Sequence, residues 1–166
     1  MSEDFNMLRL KVHTLVGTDF KQAWAFKLDI DGQPADMDIY VKDITFGPTE
    51  IANDPVKVGG KTLTFPTGAE PVSLSMTVRD HRDERVAKFF DDWATEVVNA
   101  DGTVNLPGID GSGYVRKAKR YALNEDGTED LRNTWGIFPV QRGDVTESRE
   151  EGGFLEFPMT FIQFRS

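Results

Sequence analysis

Residues 71–99 read PVSLSMTVRDHRDERVAKFFDDWATEVVN, and two different apolar periods meet inside this stretch. Val72, Leu74, Met76 and Val78 alternate with Ser73, Ser75, Thr77 and Arg79, the pattern of a strand with one apolar face and one small, polar face. Beyond Asp80 the spacing changes. Val86, Phe89, Phe90, Trp93 and Val97 fall on one stripe of a helix spanning Arg82 to Val98. Asp80 reads as the N-cap, and Asp83 and Glu84 lie in the first turn, where the helix dipole favours acids. A strand followed directly by an amphipathic helix needs a sheet on which the helix can pack.

The remaining segments supply that sheet. Trp24, Phe26, Leu28 and Ile30 alternate with Ala25, Lys27, Asp29 and Asp31, as in a half-buried strand. Asp31-Gly32 turns the chain, and Met37, Ile39 and Val41 alternate as its hairpin partner. Tyr114 to Asn124 and Glu129 to Phe138 form a second hairpin around Asp126-Gly127, with Pro139 ending it. In the last strand, Phe154 to Phe164, one face holds Leu155, Phe157, Met159 and Phe161. Pro158 cannot donate to a ladder, which places this strand at an edge or a bulge. The fold class expected is α+β, mainly antiparallel β, with packed sheets forming a barrel-like sandwich and one flanking helix. Residues 1–166 form a single domain. Phe5, Leu8, Val12 and Leu15 have helical spacing in an N-terminal arm, 1–18, that Gly17 ends.

Asp43 to Pro66 does not fit this pattern. It carries Ile44, Phe46, Ile51, Val56, Val58, Leu63 and Phe65 without helical period, and Gly47, Pro48, Pro55, Gly59, Gly60 and Pro66 interrupt any long strand. A loop of this length in a compact domain is uncommon, and its apolar content is too high for plain disorder. Ordering about two dozen backbones costs more than burying seven such side chains returns. The seven apolar residues are therefore expected to form contacts with another protein chain.

The net charge of −9 disfavours nonspecific wrapping by nucleic acid and binding to anionic membranes. The absence of cysteine excludes disulfides, thiolate metal sites and cysteine nucleophiles. An acidic N-terminus, with no signal-type or membrane-spanning apolar run, fits folding in the cytoplasm.

The chemical motifs are weak. In Gly59-Gly60-Lys61-Thr62 a P-loop would need glycine where Pro55 stands and a helix where strand follows, so a turn is the better reading. Asp80, His81, Asp83 and Glu84 are explained by capping, and His13 has no evident catalytic partner. Aspartates beside glycines lack the EF-hand pattern. Arg116, Lys117, Lys119 and Arg120 form a basic cluster, but strand alternation divides it between two faces, where salt bridges to acids account for it. Trp93, Trp135, Phe89 and Phe90 read as core. No catalytic site, metal site or cofactor is expected.

Taken in order, several segments resemble the inner tail-tube proteins of contractile-tailed bacteriophages, whose fold is shared with pyocin and type VI secretion tubes. These are Asp19 to Ile30 leading into the first strand; Val72 to Val78 with Asp80 and the helix containing Lys88-Phe89-Phe90-Asp91-Asp92-Trp93; the hairpin Val115 to Ile137; and Gly136-Ile137-Phe138-Pro139 with the strand Leu155 to Phe164. The resemblance implies six copies per ring and stacked rings inside a sheath. It also implies baseplate and terminator proteins as partners, and viral DNA passing through the lumen without specific binding. The site would be the virion tail, assembled in the host cytoplasm, and the long segment 43–66 would reach the adjacent ring. A tube-initiating baseplate protein of the same fold stays open, because the family often has Trp where Phe138 stands. A monomeric β-barrel ligand-binding domain or small enzyme is the reading from another class; it would need a concave apolar pocket with converging polar groups.

Overall fold

A computed structural model describes residues 7, 9, 10, 12–14, 16, 23–108, 113–145 and 154–165. The elements in chain order are β1 (Phe26–Ile30), α1 (Met37–Tyr40), β2 (Val41–Gly47), β3 (Ile51–Val58), β4 (Lys61–Ala69), β5 (Ser73–Arg79), α2 (Arg85–Val97), β6 (Arg116–Leu123), β7 (Glu129–Arg142) and β8 (Glu156–Gln163). Six strands form one antiparallel sheet in the order β1-β6-β7-β8-β5-β2, and β3 and β4 form a separate two-stranded ribbon. The expected class, mainly antiparallel β with a flanking helix, is what the chain adopts. The sheet curls without closing into a barrel.

The two periods of residues 71–99 are realised as read. Leu74, Met76 and Val78 of β5 are buried, and so are Val86, Phe89, Phe90 and Trp93 of α2. These stripes meet Phe157, Met159 and Phe161 from β8, Trp135 and Ile137 from β7, Ala118 from β6, and Leu28 and Ile30 from β1. One sheet face and one helix stripe thus make a single core. Trp93 is fully enclosed, its ring 5.4 Å from that of Phe161, and its Nε1–H donates to the Tyr114 carbonyl at 2.6 Å. That bond satisfies the polar atom that such a large buried side chain brings with it.

The helix starts at Arg85, three residues later than expected, because Glu84 adopts a left-handed conformation (φ 54°) before it. Asp80 nevertheless caps it. Its carboxylate accepts from the backbone N–H groups of Val86 and Ala87, both at 3.1 Å, and from that of His81 at 2.8 Å. Asp83 does not act through the dipole: it pairs with Arg85 at 2.7 Å and with His81 at 2.8 Å. The Arg85 hydrogen bond, followed by that from His81, holds the Asp83 carboxyl well below the usual range. Asp80→Ala should therefore lower stability by about 1–2 kcal/mol in chemical denaturation, the cost of losing an N-cap. Asp80→Asn, which keeps one acceptor, should recover part of it.

Several expectations are corrected. Met37 and Ile39 lie in the short helix α1, not in a strand, and only Val41 begins β2. Alternation across five residues is too short to separate the two periods, and Asp36, left-handed at φ 65°, lets the chain turn into the helix. The hairpin between β1 and the second strand does not form; β1 pairs with β6 and β2 with β5. Trp24 precedes β1 and is 75% exposed. Pro139 does not end β7. The register shifts between Pro139 and Gln141, so the strand absorbs the proline in a bulge and continues to Arg142. Pro158 lies on β8, an interior strand; the β7 ladder stops at Arg142↔Met159, so the missing donor falls beyond its end. Val12 is helical as expected, whereas Phe5, Leu8, Leu15 and Gly17 of the arm lie outside the described residues.

Candidate assembly interface

The segment 43–66 is not an irregular loop. Its first part is β2, on the edge of the main sheet, and the rest is the ribbon, with Val58↔Lys61 closing a two-residue turn at Gly59-Gly60. Gly59 has φ +62°, which only glycine takes without strain. Pro55 and Pro66 do not break the strands, since each has a neighbour on one side only and half of its donors need no partner. The register shift between Ala52 and Asn53 takes up the irregularity near Pro66.

Directly opposed residues share a face of the ribbon. The pairs Asp54↔Phe65, Val56↔Leu63 and Val58↔Lys61 therefore put Val56, Val58, Leu63 and Phe65 on one side. Alternation along β3 puts Ile51 on the other. The four apolar residues of the first face are between 45% and 59% exposed, and among the described residues β3 and β4 pair with no other strand. Strands of eight and nine residues at ~3.3 Å per residue give a ribbon ~27 Å long. An apolar face of that extent, held away from its own core, is what a partner surface would cover.

Ile44 and Phe46 are placed differently. They lie on β2 opposite Met76 and Leu74, on the core side of the sheet. The Phe46 ring centroid is 5.3 Å from that of Trp135, although β8 and β5 lie between their strands, so this contact records the curl of the sheet. The Arg120 guanidinium lies over the same ring at 4.6 Å and donates to Asn133 Oδ1 through Nε and Nη2 at 3.0 and 2.7 Å. Burial and then the nearby Arg132 pull the Arg120 pKa downward. Sequence reasoning missed this site. Arg120 read as one member of a basic cluster, and its contact with Phe46 depends on the curl. Arg116, its neighbour on the same face, meets the expectation of an acidic partner, pairing with Glu96 at 3.0 Å and lying over Trp93 at 4.6 Å.

Among the described residues, the outer sides of β1 and β2 are unpaired edges of the sheet. Such edges are templates for further strands. A cleft of ~680 Å³ opens between the ends of β6 and β7 and the loop after α2, with Asp31, Glu96, Arg116, Lys117 and Phe164 in its lining. Glu96 and Arg116 neutralise each other there, so its charges do not converge on an open point. Among the described residues, no three His, Asp or Glu side chains group to hold a metal ion, and no helix is long and apolar enough to cross a membrane.

Neither a family model nor a curated protein sequence matches the chain. Solved structures do match its fold. A chain of the sheath/tube terminator of PVC, an extracellular contractile injection system in its extended state, aligns with a TM-score of 0.64 at 12% identity, covering 89% of this chain and 95% of that one. A chain of the PVC sheath–tube complex gives 0.61 at 12%, covering 92% and 93%. The tube-terminating cap of the anti-feeding prophage gives 0.63 at 11%, covering 89% of each. The fold is thus one found in tube and tube-terminating assemblies of contractile injection systems, in agreement with the resemblance read in the sequence.

Proposed function

We propose that the chain is a structural subunit of a contractile tail or related injection particle and works by polymerising, with no enzymatic step. Six copies form a ring, rings stack into the inner tube, and sheath, baseplate and terminator proteins bind the tube. DNA passes through the lumen of a protein with net charge −9 without adhering. The observation that carries this reading is the β3–β4 ribbon, whose apolar face stands in solvent in a single copy. Ile44, Phe46, Ile51, Val56, Val58, Leu63 and Phe65 are the proposed inter-subunit residues. Open edges on β1 and β2 add backbone that neighbouring copies can pair.

A second reading, a single-ring component of the same fold, is favoured by the likeness to a terminator and a cap. Negative-stain microscopy of purified protein at rising concentration separates the two. Tubes are expected for the first reading and isolated rings for the second. Featureless small particles throughout would contradict both.

A further inference from the structure

We propose that the Arg120–Phe46 patch of one copy receives the apolar ribbon face of a second copy, with Asp54 of the ribbon pairing with Arg120. This rests on the reading that copies of this chain assemble, and it names the surface that the ribbon meets.

Arg120 is half-buried, and among the described residues no carboxylate pairs with it. Asn133 is its hydrogen-bond partner, and the Phe46 ring lies against one face of its guanidinium. Arg132 beside it is matched by Asp130 at 2.7 Å, so the patch keeps one uncompensated positive charge. Phe46 is 41% exposed next to it. An arginine stacked on an aromatic ring, partly desolvated and short of an anion, has the composition of an interface hot spot.

The ribbon carries the complement. Its apolar face holds one acid, Asp54, directly opposite Phe65. Among the described residues the Asp54 carboxylate has no hydrogen bond or ion pair. One surface is thus apolar with a lone cation; the other is apolar with Asp54 away from the turn and Lys61, the only cation of that face, at the turn two pairs further along. A ribbon ~27 Å long that, among the described residues, pairs with no strand of the main sheet suits contact with a second copy rather than with its own body.

The test is complementation by mixing. Asp54→Lys changes an exposed ribbon position and leaves the fold intact. Arg120→Glu is checked by near-ultraviolet circular dichroism, and Arg120→Ser serves instead if it unfolds. Each single variant should raise the concentration needed for association by about tenfold or more, in line with close charge pairs across interfaces. An equimolar mixture of Asp54→Lys and Arg120→Glu copies should restore association, because every ribbon–patch contact can then join unlike copies. If Arg120→Glu unfolds, loss of association in both Asp54→Lys and Arg120→Ser supports the pairing. Association of Asp54→Lys copies at the wild-type concentration would overturn the inference alone. So would a mixture no better than its components, the result expected if the ribbon docked on its own chain. Wild-type copies that never associate would overturn the assembly reading, and this inference with it.

Discussion

Trp93→Ala should lower stability by about 3–5 kcal/mol, the largest loss expected from any single truncation in this chain. The side chain is 0% exposed at the point where α2 meets the sheet. Its removal leaves Phe89, Phe161 and the Arg116 guanidinium facing a cavity, and it orphans the Tyr114 carbonyl that the indole satisfies at 2.6 Å. Trp93→Phe keeps most of the volume but not the N–H donor. It should fall between wild type and the alanine variant, at about 1–3 kcal/mol, because the partly buried carbonyl loses its partner. Urea unfolding with an unchanged slope would measure both. A loss under 1 kcal/mol for the alanine variant would show that α2 does not anchor the core.

Phe65→Asp should leave the fold intact and abolish assembly. The ring is about half exposed in a single copy and directly opposite Asp54 on the ribbon, so its replacement should cost the monomer about 1 kcal/mol, too little to unfold the domain. In an assembled interface the same change buries a carboxylate beside Asp54, across from it on the ribbon, and like charges directly opposed add to the desolvation cost. The outcome expected is a cooperative melting curve shifted only slightly downward, together with loss of tubes or rings in micrographs. Phe46→Asp is a less selective probe, since Phe46 also packs on Trp135 and Arg120 and its loss disturbs the curled sheet. Particles of normal length from the Phe65→Asp variant would remove the ribbon from the interface.

Local periods were legible in the sequence, and partners distant along the chain were not. The β5 alternation, the α2 stripe and the Phe157-Met159-Phe161 face depend on neighbours a few residues away, and all three are buried as read. The pairing of β1 with β6 joins residues about ninety positions apart, and nothing in the Asp31-Gly32 turn reveals that the chain leaves the β1 edge there. The ribbon was hidden for another reason. Pro55 and Pro66 mark breaks in an interior strand, but in a two-stranded ribbon they cost no ladder bond on the open side. The apolar residues of the candidate interface could be listed from sequence; their division could not. Val56, Val58, Leu63 and Phe65 share one ribbon face, Ile51 faces away, and Ile44 and Phe46 belong to the sheet, because register decides which face each side chain takes. Arg120 joins Phe46 only because the sheet curls across the three intervening strands, β7, β8 and β5.

Whether the ribbon is covered by another copy is tested most directly by amide hydrogen exchange over residues 51–69, compared between dilute protein and assembled particles. Burial against a second copy should slow exchange there by about tenfold or more, while β5 and β8, already interior, stay unchanged. Equal protection of the ribbon in the two states would contradict it.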